Sequence, residues 1–202
     1  MQQESDRIPG QTHPSLEKLE GLASRLESLL SMSLPVVLAI DGRAASGKSR
    51  LAEKLANDYA ARLVHMDDFF LPQELRTADR MAEPGGNVHY ERFIVEVLPS
   101  LRKKEAFSYQ AFDCMHMQLG QWRSLAAAQV TVVEGSYALH PIFGVYYDLS
   151  VFMSCPPDVQ LTRLMARNPA KLEEFQKHWI PLEENYFHTL GIEKSADFII
   201  ET

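Results

Sequence analysis

The chain has 202 residues, 46% of them hydrophobic and 23% charged, which suits one packed domain and excludes a disordered or fibrous chain. Its formal net charge of -7 argues against a broad basic surface for nucleic acid. The longest apolar run, residues 34–40, is far too short to span a membrane. Residues 1–10 are polar and mixed in charge, so they do not read as a signal peptide. Cys114 and Cys155 form no C-x-x-C pair and read as buried thiols in a reducing compartment, so a cytoplasmic setting is expected.

In chain order, residues 1–14 read as an extended lead-in. Leu16, Leu19, Leu22, Leu26, Leu29 and Leu30 then recur at helical spacing, with Ser15 as candidate N-cap. This amphipathic helix lies in an N-terminal extension, residues 1–33, ahead of a domain over 34–202. Packing on that domain is the simpler expectation for its leucine stripe, and a contact in a homo-oligomer the alternative. Residues 34–40 (LPVVLAI) read as a strand buried on both faces. A turn over 41–49 leads into a helix over 49–60. A second strand spans 62–66. Residues 72–87 are polar, broken at Pro84-Gly85-Gly86, and 90–101 read as helix. Residues 107–123 suggest a hairpin or excursion at the sheet edge. Strands follow at 130–133 and 149–153, helices at 156–167 and about 170–188, and a last strand at 197–200. This alternation predicts an α/β fold, a doubly wound and mostly parallel five-stranded sheet with helices on both faces.

Residues 42–49, GRAASGKS, match G-x-x-x-x-G-K-[ST] in full. Gly42 and Gly47 allow a sharp turn and a close backbone approach to phosphate. The amides of Ala44, Ala45, Ser46, Gly47, Lys48, Ser49 and Arg50 are candidates to hold a nucleotide's phosphates at a helix N-terminus. Lys48 can reach the outer phosphates of ATP, and the Ser49 hydroxyl can ligate Mg²⁺. Arg43 sits inside this loop and either touches phosphate or projects to solvent.

Asp67 and Asp68 end the second strand, where an open parallel sheet offers its ligand crevice. Either could accept the proton of an attacking hydroxyl. Glu134 closes the run Val130–Val133 and suits an Mg²⁺ ligand in the position of a Walker B acid.

The segments IDGRAASGKS (40–49), HMDDFF (65–70), PGGNVHYERF (84–93), YQAFD (109–113) and VVEGSYALHP (132–141), with Arg163 and Arg167, resemble the uridine kinase-like P-loop kinases. Phosphoribulokinase and bacterial pantothenate kinase are relatives of that family. The resemblance covers about 34–200 and implies a P-loop NTPase fold using ATP and Mg²⁺. It implies that Asp67 activates the acceptor hydroxyl and stands near the metal with Ser49 and Glu134. It implies that Arg163 and Arg167 are lid arginines beside the transferred phosphate. Acceptor-site candidates are Asp68, Phe70, His89, Arg92, Phe112 and Asp113. Phe112 matches a base-contacting tyrosine, and His89 replaces a ribose-binding aspartate. The arginine-rich lid segment is also absent after Arg167. The expected function is transfer of the γ-phosphate to a small-molecule hydroxyl, with uridine or cytidine as first acceptor. Pantothenate or a sugar is the enzymatic alternative. A nucleotide-binding regulatory ATPase without an acceptor is the alternative from another class.

Overall fold

The computed structural model describes residues 16–202. The expected lead-in and the Ser15 cap lie outside the described residues. In chain order the elements are α1 (Leu16–Leu30), β1 (Val36–Gly42), α2 (Lys48–Tyr59), β2 (Arg62–His65), α3 (Ala78–Ala82), α4 (Tyr90–Glu96) and α5 (Leu98–Leu101). There follow β3 (Phe107–Asp113), β4 (Gln118–Leu125), β5 (Val130–Glu134), β6 (Leu149–Ser154), α6 (Pro157–Arg167), α7 (Leu172–Glu174), α8 (Ile180–Leu190), α9 (Ile192–Ser195) and β7 (Phe198–Glu201).

Five strands form one sheet in the order β2-β5-β1-β6-β7, and every pair in it is parallel. β1 is central and every residue of it is buried. Its side chains divide by the two-residue period of a strand. Val36, Leu38 and Ile40 join a core with Leu51 and Leu55 of α2, while Val37 and Ala39 join the opposite core with Phe93, Phe152 and Tyr186. α1 packs into the first of these cores through Leu22 and Leu26.

Two helices depart from the sequence reading, and a proline accounts for each. Residues 90–101 are not one helix: α4 stops at Glu96, Val97 turns out of line, and α5 restarts with Pro99 near its N-terminus. Pro99 has no N–H to give to the Val95 carbonyl and its ring crowds that turn, so the helical ladder is interrupted just ahead of it. The stretch 170–188 stays helical but opens into a π-type turn over Phe175–Trp179, ahead of Pro181 in α8. A wide turn lets the chain carry Pro181, which cannot donate into a regular α-helical ladder.

The hairpin at 107–123 forms a two-stranded sheet of its own, β3 with β4 antiparallel, rather than an edge of the main sheet. It is fastened through Asp68, which accepts from the Tyr109 hydroxyl at 2.7 Å and pairs with Arg123 Nε at 2.7 Å. Arg92 adds a second tie by pairing with Glu96 at 2.7 Å and donating to the Gln110 carbonyl. Cys155 is buried as expected, but Cys114, at the hairpin turn, is exposed.

Candidate active site

The C-terminal edge of the parallel sheet carries the chemistry. In register, Glu134 lies beside Ile40 of β1 and beside His65 of β2. The ends of three strands therefore meet where the 42–49 loop leaves β1. Gly42 is required there: a Cβ on it would stand 2.0 Å from the Met153 carbonyl oxygen, and its φ is +135°. Gly47, at φ +95°, opens α2.

The loop cups a cavity of about 500 Å³. Ala44, Ala45, Gly47, Lys48, Ser49 and Arg50 line it. Among the described residues the amides of Ala45, Gly47, Lys48 and Ser49 have no backbone acceptor, so they suit an anion's oxygens. The Ala44 amide differs, because it donates to Glu183 Oε2 at 3.0 Å. Gly42 and Ser46 are not on the cavity wall. Gly42 shapes the turn, and the Ser46 carbonyl accepts from the Thr202 hydroxyl. Lys48 Nζ donates to the Gly42 and Arg43 carbonyls at 2.7 and 2.9 Å, folded along its own loop.

Arg43 does neither of the two things open to it from sequence. Its guanidinium grips Glu184 of α8 at 2.6 and 3.1 Å and lies over the rings of Phe152 and Phe187, behind the loop.

Ser49 Oγ donates to Glu134 Oε2 at 3.1 Å, and the other carboxylate oxygen meets His65 Nδ1 at 2.6 Å. The hydrogen bond to Glu134 raises the His65 pKa against the opposing effect of burial. Asp67 is exposed on the cavity wall. Desolvation by the protein around it raises its pKa, assisted by Glu134 and Asp68 and opposed by Lys48. A hydroxyl and a carboxylate of this kind fit Mg²⁺, which takes few protein oxygens and completes its shell with phosphate and water. Among the described residues no group of three or more His, Cys, Asp or Glu is placed to hold a metal ion by itself.

Arg163 and Arg167 of α6 line the cavity. Arg163 donates to the Ala45 carbonyl at 3.2 Å and the Thr202 hydroxyl at 2.8 Å, while Arg167 lies over the Phe175 ring. Of the acceptor-site candidates, only Phe70 lines the cavity, with its ring 6.0 Å from that of Trp179. Asp68 and Arg92 are used by the hairpin ties described above. His89 faces Glu91 at 3.1 Å. Phe112 is buried, and Asp113 caps the hairpin turn through the amides of Met115 and His116.

Four residues absent from the sequence reading of the site belong to it. Trp179 lines the cavity with Asn87, Tyr137 and Glu183. Glu183 bridges the Ala44 amide and the Ser136 hydroxyl, the latter at 2.5 Å. Burial raises its pKa, with Lys48 and these two hydrogen bonds acting against that. No local pattern marks these residues; only the fold brings α8 and the turn after β5 to the loop.

A parallel sheet of this order with a glycine-bounded phosphate loop after its central strand defines the P-loop NTPase fold. No protein-family model and no curated protein matches the chain. Among the solved structures similar to it are two bacterial proteins described as kinases. One is a possible uridine kinase from Bacillus stearothermophilus, with TM-score 0.62 and 18% identity over 89% of this chain and 98% of that one. Another is a candidate fructose transport system kinase from Silicibacter sp. TM1040, with TM-score 0.65 and 22% identity over 88% and 98%. At these identities the likeness is one of fold.

Proposed function

We propose that the chain is an ATP-dependent kinase that transfers the γ-phosphate to a hydroxyl of a small molecule. The observation that carries this reading is one cavity walled by the phosphate loop, the Ser49–Glu134 pair and the Asp67 carboxylate. A nucleotide switch needs the first two; a carboxylate opposite them suits an acceptor alcohol. The amides of residues 45–49 bind the phosphates, and Lys48 turns from its carbonyl partners toward the transferring group. The acceptor oxygen bonds to the γ-phosphorus as the bond to the β–γ bridging oxygen breaks, ADP leaves, and the acceptor's proton passes to Asp67. Arg163 and Arg167 stabilise charge on the moving group from the opposite rim. Ser49 and Glu134, with Asp67 nearby, would hold Mg²⁺, which would supply neutralisation of the phosphate charge.

The resemblance puts uridine or cytidine first among acceptors. A second reading, a sugar or another alcohol, is favoured by the placement of His89, Phe112 and Asp113 away from the cavity wall. A cytoplasmic setting without nucleic-acid partners belongs to the same proposal, and self-association is a matter for sizing in solution. No described helix is long and apolar enough to cross a membrane.

The test is ADP formation from ATP and Mg²⁺ with and without uridine, cytidine, fructose or pantothenate. At least one alcohol should raise turnover a hundredfold or more, with labelled phosphate recovered on it. Equal turnover without any acceptor would replace the kinase reading by that of a regulatory ATPase.

A further inference from the structure

Two buried polar groups beside the cavity are left without partners, and a buried acid next to them is used only in part. Tyr137 and Asn87 are each 2% exposed and adjoin each other, yet among the described residues neither the Tyr137 hydroxyl nor Asn87 Nδ2 has a hydrogen-bond partner of ordinary geometry. Both residues line the cavity that Asp67 and Glu183 also line. Buried polar groups are nearly always paired, so two orphans on one cavity wall ask what pairs them.

Both residues are held firmly. The Tyr137 backbone sits at φ +78°, a conformation that a bulky residue adopts rarely and at a cost. Its amide is fixed on Asp41 Oδ1 at 3.0 Å, and its ring lies 4.8 Å from that of Tyr186. The Asn87 carbonyl accepts from the Leu71 amide at 2.9 Å, and its neighbour Val88 bridges to Phe70. Glu183 gives one hydrogen bond's worth of acceptance per oxygen, to Ala44 and to Ser136, and each carboxylate oxygen can accept more.

We infer that Tyr137, Asn87 and Glu183 form the acceptor-reading subsite, and that it takes an uncharged, hydroxyl-rich molecule. This rests on the kinase reading for its meaning but not for its test. Hydroxyl groups both donate and accept, so they can satisfy the tyrosine hydroxyl, the amide and the carboxylate at once. An apolar acceptor would leave the two donors unpaired. An anionic acceptor would stand beside the Glu183 and Asp67 carboxylates. After burial, the charges that raise the Tyr137 hydroxyl pKa are those of Glu183, Asp41 and Asp67, and the Asn87 side chain beside it acts the other way. Of the cavity's cations, Lys48 acts on Glu183 but is held on the Gly42 and Arg43 carbonyls, Arg163 reaches Ala45 of the phosphate loop, and Arg76 and Lys171 stand near Cys114 at the hairpin turn.

The experiment is calorimetric titration of the protein loaded with Mg²⁺ and a non-hydrolysable ATP analogue. The probes are uridine, cytidine, fructose and ribose as neutral acceptors and pantothenate as an anionic one. At least one neutral probe should bind, and more tightly than pantothenate. Tyr137→Phe, which removes one oxygen and keeps the ring, should weaken that binding tenfold or more while analogue affinity stays within threefold. Glu183→Gln, which removes a negative charge, should shift the ratio of pantothenate to neutral affinity at least fivefold toward pantothenate. Failure of all four neutral probes to bind, tightest binding by pantothenate, or neutral affinity unchanged within twofold in Tyr137→Phe would overturn the inference. Tyrosine-dependent binding without phosphoryl transfer would leave this subsite standing and remove the kinase reading. Transfer with an acceptor KM unmoved by Tyr137→Phe would do the reverse.

Discussion

Lys48 and Asp67 divide the work of the cavity between phosphate and acceptor. The Lys48 ammonium rests on two loop carbonyls at 2.7 and 2.9 Å and leaves them to meet the transferring phosphate. Lys48→Ala should lower kcat by roughly a thousandfold, the scale on which removal of one transition-state charge partner acts. Turnover within tenfold of the parent would displace Lys48 from the transfer step. Asp67→Asn keeps size and polarity but ends proton acceptance. It should hold the ADP dissociation constant within threefold while kcat falls at least a hundredfold. A parallel loss of ADP affinity would make Asp67 a nucleotide contact instead. The two adjacent aspartates were indistinguishable in the sequence, because a one-residue step decides which side chain faces the crevice and which the hairpin. The short 3₁₀ turn Met66–Phe69 settles it: Asp68 turns inward to Tyr109 and Arg123, and Asp67 to the cavity.

At the scale of elements, α4 is set against the β3–β4 hairpin by one carboxylate. Glu96 accepts from Arg92 at 2.7 and 2.8 Å and from the Gln110 amide at 3.2 Å. Burial acts to raise its pKa, but these hydrogen bonds and the Arg92 charge outweigh it, so the carboxyl lies below its ordinary 4.5 in the folded chain. A depressed pKa means that the ionised form binds the fold better than it binds the unfolded chain. Its contribution is therefore full above pH 4.5 and is lost as pH falls through the lower folded value. Glu96→Gln should cost about 1 kcal/mol in urea unfolding at pH 7. The gap to the parent should close below pH 4, and a gap that persists there would assign the effect to packing. The parallel strands, the phosphate loop and the helix after it were legible because each is written in contiguous residues: an apolar run, two glycines, a leucine period. Element ends were less so. Pro99 and Pro181 carried the information on where helices break or widen, yet the apolar periodicity of 90–101 and of 170–188 runs through both. The hairpin's separation from the main sheet depends on Asp68 and Arg92, 41 and 18 residues from their partners on β3.

At the scale of the whole molecule, the phosphate loop is joined to the rest by Asp41, a fully buried residue that no sequence pattern singled out. One oxygen accepts the amides of Gly42 at 2.7 Å and Tyr137 at 3.0 Å; the other accepts the Leu139 amide and the Tyr186 hydroxyl, both at 2.9 Å. The loop, the turn after β5 that carries Tyr137, and α8 that carries Glu183 are thus referred to a single carboxylate. That is why residues far apart in sequence share one cavity wall. Burial raises the Asp41 pKa, with the Leu139 and Gly42 amides, the Tyr186 hydroxyl and the Lys48 charge acting against it, so this centre is maintained against a desolvation cost. Asp41→Asn tests the point with almost no change in volume. A carboxamide has one oxygen and one donor group. Whichever way it turns, a backbone N–H of Gly42 and Tyr137, or of Leu139, then meets another donor. The expected loss is about 2 kcal/mol, which at this chain length lowers Tm by roughly 4–8 °C. Tyr186→Phe removes only one of the four donors, and one that can rotate, so it should cost about 1 kcal/mol. If Asp41→Asn moves Tm no further than Tyr186→Phe does, the carboxylate is not the junction, and the loop must be held by Arg43 and its grip on α8 instead.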